Sequence, residues 1–140
     1  MNPPITDTLP DTLSDLLTVA LDDLAKVEAD PRYAVAMKDW HRPYSTGRCN
    51  VCLAGAVMAK SLGCPIARID PYELGQQIKT KLHVLNSLRQ GFVGYACEEL
   101  SESFERVPEQ LRFVEVPEYA HPDFVPTLRA LAASLKEAGL

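Results

Sequence analysis

The chain has no apolar run long enough to cross a membrane. Its longest, Val51 to Ala59, is about half of what a spanning helix needs. Met1-Asn2-Pro3-Pro4 opens without a basic region or an apolar stretch behind it, so no secretory leader is expected and the cytoplasm is the expected location. Cysteine is scarce. Four in 140 residues do not form a disulfide scaffold, and in the cytosol they would stand as thiols. Aromatic residues are few and the net charge is −5. With no basic-aromatic module visible, direct nucleic-acid binding is disfavoured. There is no internal repeat and no low-complexity linker, which leaves one domain of a size that can bury its own core without metal or disulfide staples.

What charge there is lies unevenly. Residues 1–30 carry seven acids against Lys26, residues 31–91 carry nine bases against three acids, and residues 92–140 carry nine acids against four bases. Two readings follow. Either the acidic ends wrap the basic centre and cancel it, or the fold keeps a surface dipole that meets a partner.

Hydrophobic spacing predicts a mainly α protein: residues 1–8 as a loose arm, then a single helical domain over 9–140. Leu13, Leu16, Leu17, Ala20, Leu21 and Leu24 recur on one helical face, so an amphipathic cover helix is expected from Leu9 or Thr12 to Glu28. Thr12 and Asp15 form its capping pair. Asp15, Asp22 and Asp23 are assigned to its outer side. Asp30-Pro31 ends it, and residues 33–39 alternate weakly, as in a short strand. A loop dense in recognition groups follows, Trp40-His41-Arg42-Pro43-Tyr44-Ser45-Thr46-Gly47-Arg48.

The apolar stretch after that loop predicts a buried central helix over 49–62, apolar almost all round and stopped by Gly63 before Pro65. Asp70-Pro71-Tyr72-Glu73 reads as a cap, an N1 proline and an N3 acid. It opens a helix whose stripe is Leu74, Ile78, Leu82 and Leu85. Phe92 to Phe104 has helical spacing, residues 111–116 alternate like a lone strand, and a last helix is expected from Asp123 to Glu137. The architecture expected is a compact bundle of about five helices around 49–62, with one or two short strands.

Three thiol chemistries compete with a purely structural role. Cys49 and Cys52 form a Cys-x-x-Cys near a helix start, where thiolate is favoured, yet the strand and βαβ frame of a dithiol redox site are not evident. A zinc site would need a second close pair of ligands, and none exists. Cys64 sits twelve residues past Cys52, roughly 18 Å away along a continuous helix. A cysteine nucleophile, Cys49 or Cys52, would need a histidine base. His41 precedes the cysteines, and His121 lies in a loop where Asp123 could orient it. His83 falls mid-helix and suits the role least. Otherwise Cys52, Cys64 and Cys97 are core residues.

The pattern Asp39-Trp40-His41, Cys49-x-Val51-Cys52-Leu53-Ala54-Gly55-Ala56-Val57 and Leu82-x-x-Leu85-Asn86-x-Leu88-Arg89-x-Gly91 resembles small uncharacterised proteins of tailed phages and prophages. The resemblance covers residues 33–97, leaves both acidic ends unmatched and carries no activity. It implies a gene product at work in an infected bacterial cytoplasm, where small acidic phage proteins bind host or defence proteins.

The leading expectation is therefore a non-enzymatic, acidic interaction protein without cofactor or metal, engaging a protein partner and leaving self-association open. Its expected contact surface comprises Trp40, His41, Arg42, Tyr44, Arg48, Asp15, Asp22 and Asp23. The alternatives are a cysteine hydrolase or transferase built on Cys49 or Cys52 with His41 or His121, and a structural zinc protein.

Overall fold

In the computed structural model the described residues are 9–37, 41–43, 48–62, 76–88, 91–93 and 108–140. Helix α1 spans Leu13–Glu28. Thr12, in extended backbone, accepts the Asp15 N–H on its Oγ1 at 3.3 Å, the N-cap bond that its side chain allows. The apolar residues at helical spacing are buried as expected, but so are Ser14 and Asp23. That is wider than the stripe of a cover helix. The reason lies in its neighbours. α1 packs against α2 (Leu53–Leu62), α3 (Gln76–Ser87) and α5 (Phe124–Glu137), and against strand β1 (Tyr33–Val35). The helix expected to cover the core is the one that the described core is built around.

The expected central helix over 49–62 begins later than its apolar run suggests. Cys49–Val51 is strand β3, the middle of a three-stranded sheet ordered β1-β3-β2, with β2 at His41–Pro43. β1 runs parallel to β3 with Tyr33 opposite Cys49 and Val35 opposite Val51. β2 runs antiparallel with His41 opposite Val51 and Pro43 opposite Cys49. Proline cannot donate to a ladder, so Pro43 fits an edge strand and would not fit the middle one. The chain turns helical at Cys52, whose carbonyl accepts the Ala56 N–H at 2.8 Å. From there Leu53, Ala54, Ala56 and Val57 are all buried, in keeping with an apolar helix inside the core.

The strand expected over 33–39 is realised at 33–35. In α3, Leu82, Val84 and Leu85 are buried. The Asn86 side-chain oxygen is also shielded from solvent and has no hydrogen-bond partner among the described residues. The start of that helix at Asp70, the stop at Gly63 and most of the helix expected over 92–104 lie outside the described residues. Phe92 itself belongs to strand β4 (Gly91–Phe92), which pairs antiparallel with β5 (Glu115–Val116). The strand expected over 111–116 is thus a correction. Its first half is a turn of helix, α4 (Glu109–Arg112), set by Pro108 with the Leu111 N–H bonded to the Pro108 carbonyl at 2.9 Å.

α5 ends in a Schellman turn. Gly139 takes φ +79°, its N–H reaches the Lys136 carbonyl at 3.0 Å, and the Leu140 N–H reaches the Leu135 carbonyl at 2.9 Å. The reversal carries Leu140 onto the start of α1. There its carbonyl oxygen accepts both the backbone N–H of Ser14 at 3.1 Å and the Ser14 hydroxyl at 3.2 Å. An otherwise orphaned donor of the first turn of α1 is satisfied by the far end of the sequence. Arg129 and Asp22 add an exposed ion pair of 2.8 Å between α5 and α1, worth at most about 1 kcal/mol. Helix dominates the described residues, with short strands at its margins. Among them no helix is long and apolar enough to cross a membrane.

Candidate functional site

The two cysteines of the Cys-x-x-Cys occupy different structures and different chemical states. Cys49 is in the middle strand, has no exposed surface and is disulfide-bonded. Cys52 is not in a disulfide and also has no exposed surface, at the junction of β3 and α2. The other half of the Cys49 bond therefore lies outside the described residues. The remaining cysteines, Cys64 and Cys97, are outside them as well. Three residues of extended chain separate the two α-carbons by about 10 Å, whereas a disulfide needs less than about 7 Å. While β3 is paired on both sides, the Cys-x-x-Cys cannot close on itself.

This arrangement does not supply a thiol nucleophile. A sulfur in a disulfide has no lone thiolate to attack with, and Cys52 presents no surface to a substrate. His121 is exposed in the loop before α5. Its Nδ1 accepts the Asp123 N–H at 3.0 Å. The Asp123 carboxylate stands 3.7 Å away, so the backbone of that residue orients the ring and its side chain does not. None of these bonds reaches a cysteine. His41 lies in β2, but its side chain is outside the described residues. Among the described residues no group of three or more histidine, cysteine, aspartate or glutamate side chains could hold a metal ion.

The acids assigned to one outer face of α1 separate into three situations. Asp15 is exposed. Asp22 is held by Arg129 across the α1–α5 contact. Asp23 is buried, which corrects its assignment to the contact surface. It stands three residues from Ala20 and four from Val27, squarely on the buried side. Its exposed neighbour Lys26 approaches to only 3.9 Å. In the loop group, Trp40 and Tyr44 lie outside the described residues, as do the side chains of His41 and Arg42.

Arg48 is exposed, and its Nη2 donates to the Tyr33 carbonyl at 3.0 Å. Cys49 bonds to the Arg32 carbonyl and the Ala36 N–H bonds to Val51, so the even-numbered residues of this stretch face β3. The Tyr33 carbonyl therefore faces away from the sheet. Arg48 closes that part of the edge, and the Tyr33 N–H is closed by the Asp30 carbonyl at 3.1 Å. Such capping blunts an edge that another strand could otherwise join.

Two phenols share a perturbation. Burial raises the Tyr33 hydroxyl above the ordinary tyrosine range. Burial, followed by the nearby Glu28 carboxylate, does the same for Tyr119. A raised folded value means full stabilisation below the unfolded value of about 10, with loss as pH rises through the folded values. Stability is expected to fall above about pH 10. Ultraviolet difference titration should show two phenols ionising late, and Tyr33→Phe with Tyr119→Phe should flatten the alkaline limb of the stability profile. Asp30 shifts the other way. The guanidinium of Arg32, bonded to it at 2.7 Å, holds its carboxyl below the usual range.

One feature had no role in the sequence reading. Phe113, at the end of α4, is 69% exposed, the large apolar side chain left in solvent among the described residues. Glu109, Gln110, Glu115 and Glu118 around it in sequence are also exposed. The signal was available: a lone aromatic residue set among glutamates, taken for part of a strand. Comparison of the chain with protein-family models, with curated proteins and with solved structures finds no match.

Proposed function

We propose that the protein is a non-enzymatic interaction protein that captures a protein partner through residues 109–123, with Phe113 as the apolar anchor and the neighbouring carboxylates as its rim. The exposure of Phe113 carries this reading. Single exposed apolar residues are common on protein surfaces, but aromatic residues are enriched at interfaces, where they are bordered by a polar rim. The rim is acidic, so the complementary surface is basic. The buried, bonded state of Cys49 and the inaccessibility of Cys52 favour this reading over a cysteine hydrolase or transferase. The resemblance to phage-encoded proteins makes host or defence proteins of a bacterial cytoplasm the first partners to screen.

Capture by the immobilised protein, read by mass spectrometry, tests the reading. Phe113→Asp is expected to weaken the specific partner at least about tenfold. The double reversal Glu115→Lys, Glu118→Lys should weaken it further at low salt than at high salt. Asp15→Lys serves as the distant control. Reversing Asp22 or Asp23 would break the Arg129 pair or disturb a buried site, and so would report on folding. The same partners held equally by all variants would sink the assignment.

A further inference from the structure

We propose that the partner binds as an added strand: an extended segment carrying lysine or arginine pairs with the outer edge of β5, beside Phe113. This rests on the reading of Phe113 as the contact anchor, and it names the form and charge of what is anchored. The register of the small sheet turns the main chain of Glu115 outward. Gly91 lies opposite Val116 and Phe92 opposite Glu115, and the Val93 N–H is bonded to the Val114 carbonyl at 2.9 Å. In an antiparallel ladder, bonded residue pairs alternate with unbonded ones. The Val114 carbonyl and Val116 therefore face β4, and the N–H and C=O of Glu115 face the opposite way. No described residue takes up either group. The edge at β1, by contrast, is closed by the Asp30 carbonyl and Arg48.

Charge selects the occupant. Val116 is buried and Glu115 exposed, so the side chain directly opposite Glu115 on an added strand lies in solvent, on the same face as its carboxylate. Residues 109–123 carry Glu109, Glu115, Glu118 and Asp123 against Arg112, and all four acids are exposed. Opposite charges paired across strands stabilise a sheet, and like charges directly opposite destabilise it. A second copy pairing antiparallel through this edge would set Glu115 against Glu115. A lysine or arginine there meets a carboxylate instead. The edge is also short. Pro117 follows β5 and has no N–H to donate, so the paired main chain is one donor and one acceptor, both of Glu115. The exposed ring of Phe113, two residues earlier, supplies the apolar contact for a neighbouring side chain of the segment. In such docking the main-chain bonds contribute affinity and the flanking side chains contribute selectivity.

Peptide selection followed by an N-methyl scan tests this. A display library of short peptides with lysine or arginine fixed at the centre is selected on the immobilised protein. The enriched peptide is then resynthesised with each main-chain amide methylated in turn. Binding should fall at least about fivefold at one amide, while the amides on either side of it, which face away from β5, tolerate the change. On the protein, Glu115→Pro removes the outward donor without removing a bond to β4, and Glu115→Gln removes only the charge. Glu115→Gln should weaken the peptide about two- to fivefold, and less as salt rises. Glu115→Pro should weaken it about fivefold or more beyond that. Protection of the Val93 amide from hydrogen exchange checks that β4 and β5 remain paired. If Glu115→Pro does not fold, the scan on the native protein carries the test. Phe113→Asp separates the two readings. If it weakens the peptide while every N-methylation is tolerated, the Phe113 surface stands and strand addition is overturned. If it changes nothing, the anchor falls and strand addition with it. Equal binding by Glu115→Pro and Glu115→Gln, or no enrichment over a library with glutamate at the fixed position, would likewise overturn the proposal.

Discussion

Leu17→Ala is expected to destabilise the protein by about 3–5 kcal/mol, enough to lower its melting temperature by roughly 10 °C or more. Leu17 has no exposed surface and sits in α1, the helix that α2, α3, α5 and β1 all pack against. Truncation removes the transfer free energy of three carbon atoms. It also leaves a cavity, which surrounding elements can close only by moving toward one another. Because α1 is held from several directions, collapse from one side opens a gap on another. The cost should therefore lie in the upper half of the usual range. Thr18→Ala, one residue on and exposed, is the control for helix propensity. Its hydroxyl bonds back to the Ser14 carbonyl at 2.9 Å, a local contact whose loss changes little. Urea titration of both variants checks the comparison. A cost for Leu17→Ala below about 1.5 kcal/mol would mean that α1 is not the hub of the core.

Phe124→Ala is the second large effect, expected at about 3–5 kcal/mol. Phe124 is buried at the first turn of α5, and its ring meets that of Tyr119 edge to face, with centroids 5.4 Å apart and planes at 86°. That geometry adds about 0.5–1.5 kcal/mol beyond area burial. The natural comparison is Phe113→Ala, the same chemical change at a residue left in water. It should alter stability by no more than about 0.5 kcal/mol. The pair separates fold from surface: loss of stability at 124 and loss of partner capture at 113. Equal destabilisation by the two variants would place Phe113 in the core and remove the basis for the proposed contact.

The outer helices were legible because their information is local. α1 and α5 carry apolar residues at helical spacing together with turn signals at their ends; both end where expected, α5 begins one residue after Asp123, and α1 begins one residue after Thr12 and four after the alternative start at Leu9. Cys49–Val51 was not legible. Three residues are too few to show the period of a strand, and Val51 opens the apolar run that continues into the helix. What makes these residues a strand is pairing with Tyr33–Val35 and His41–Pro43, segments whose own patterns are weak. Glu109–Arg112 was missed for the opposite reason. The alternation over 111–116 is real, but Pro108 provides a start that four residues of helix can use.

The candidate site was less legible than the fold, since it turns on burial and covalent state. The burial of Asp23 could have been read from its spacing to Ala20 and Val27, but its run of acidic neighbours drew it to the surface instead. The bonded state of Cys49 has no counterpart in local sequence, where Cys49 and Cys52 look equivalent. Phe113 is the reverse case, an aromatic that composition assigns to the interior and the fold leaves outside.

The packing of α1 against α5 also has a consequence in time. A ribosome releases α1 well before α5, with 95 residues between Glu28 and Phe124. At about 5–20 residues per second, that leaves the α5-facing side of α1 without its partner for roughly 5–20 s. The Ser14 hydroxyl and N–H wait longer still, until Leu140 arrives. Nascent chains of this protein should therefore pass through an interval in which the apolar face of α1 is open to chaperones and to one another. Yield in the cell should respond to the speed of translation as well as to the stability of the finished fold.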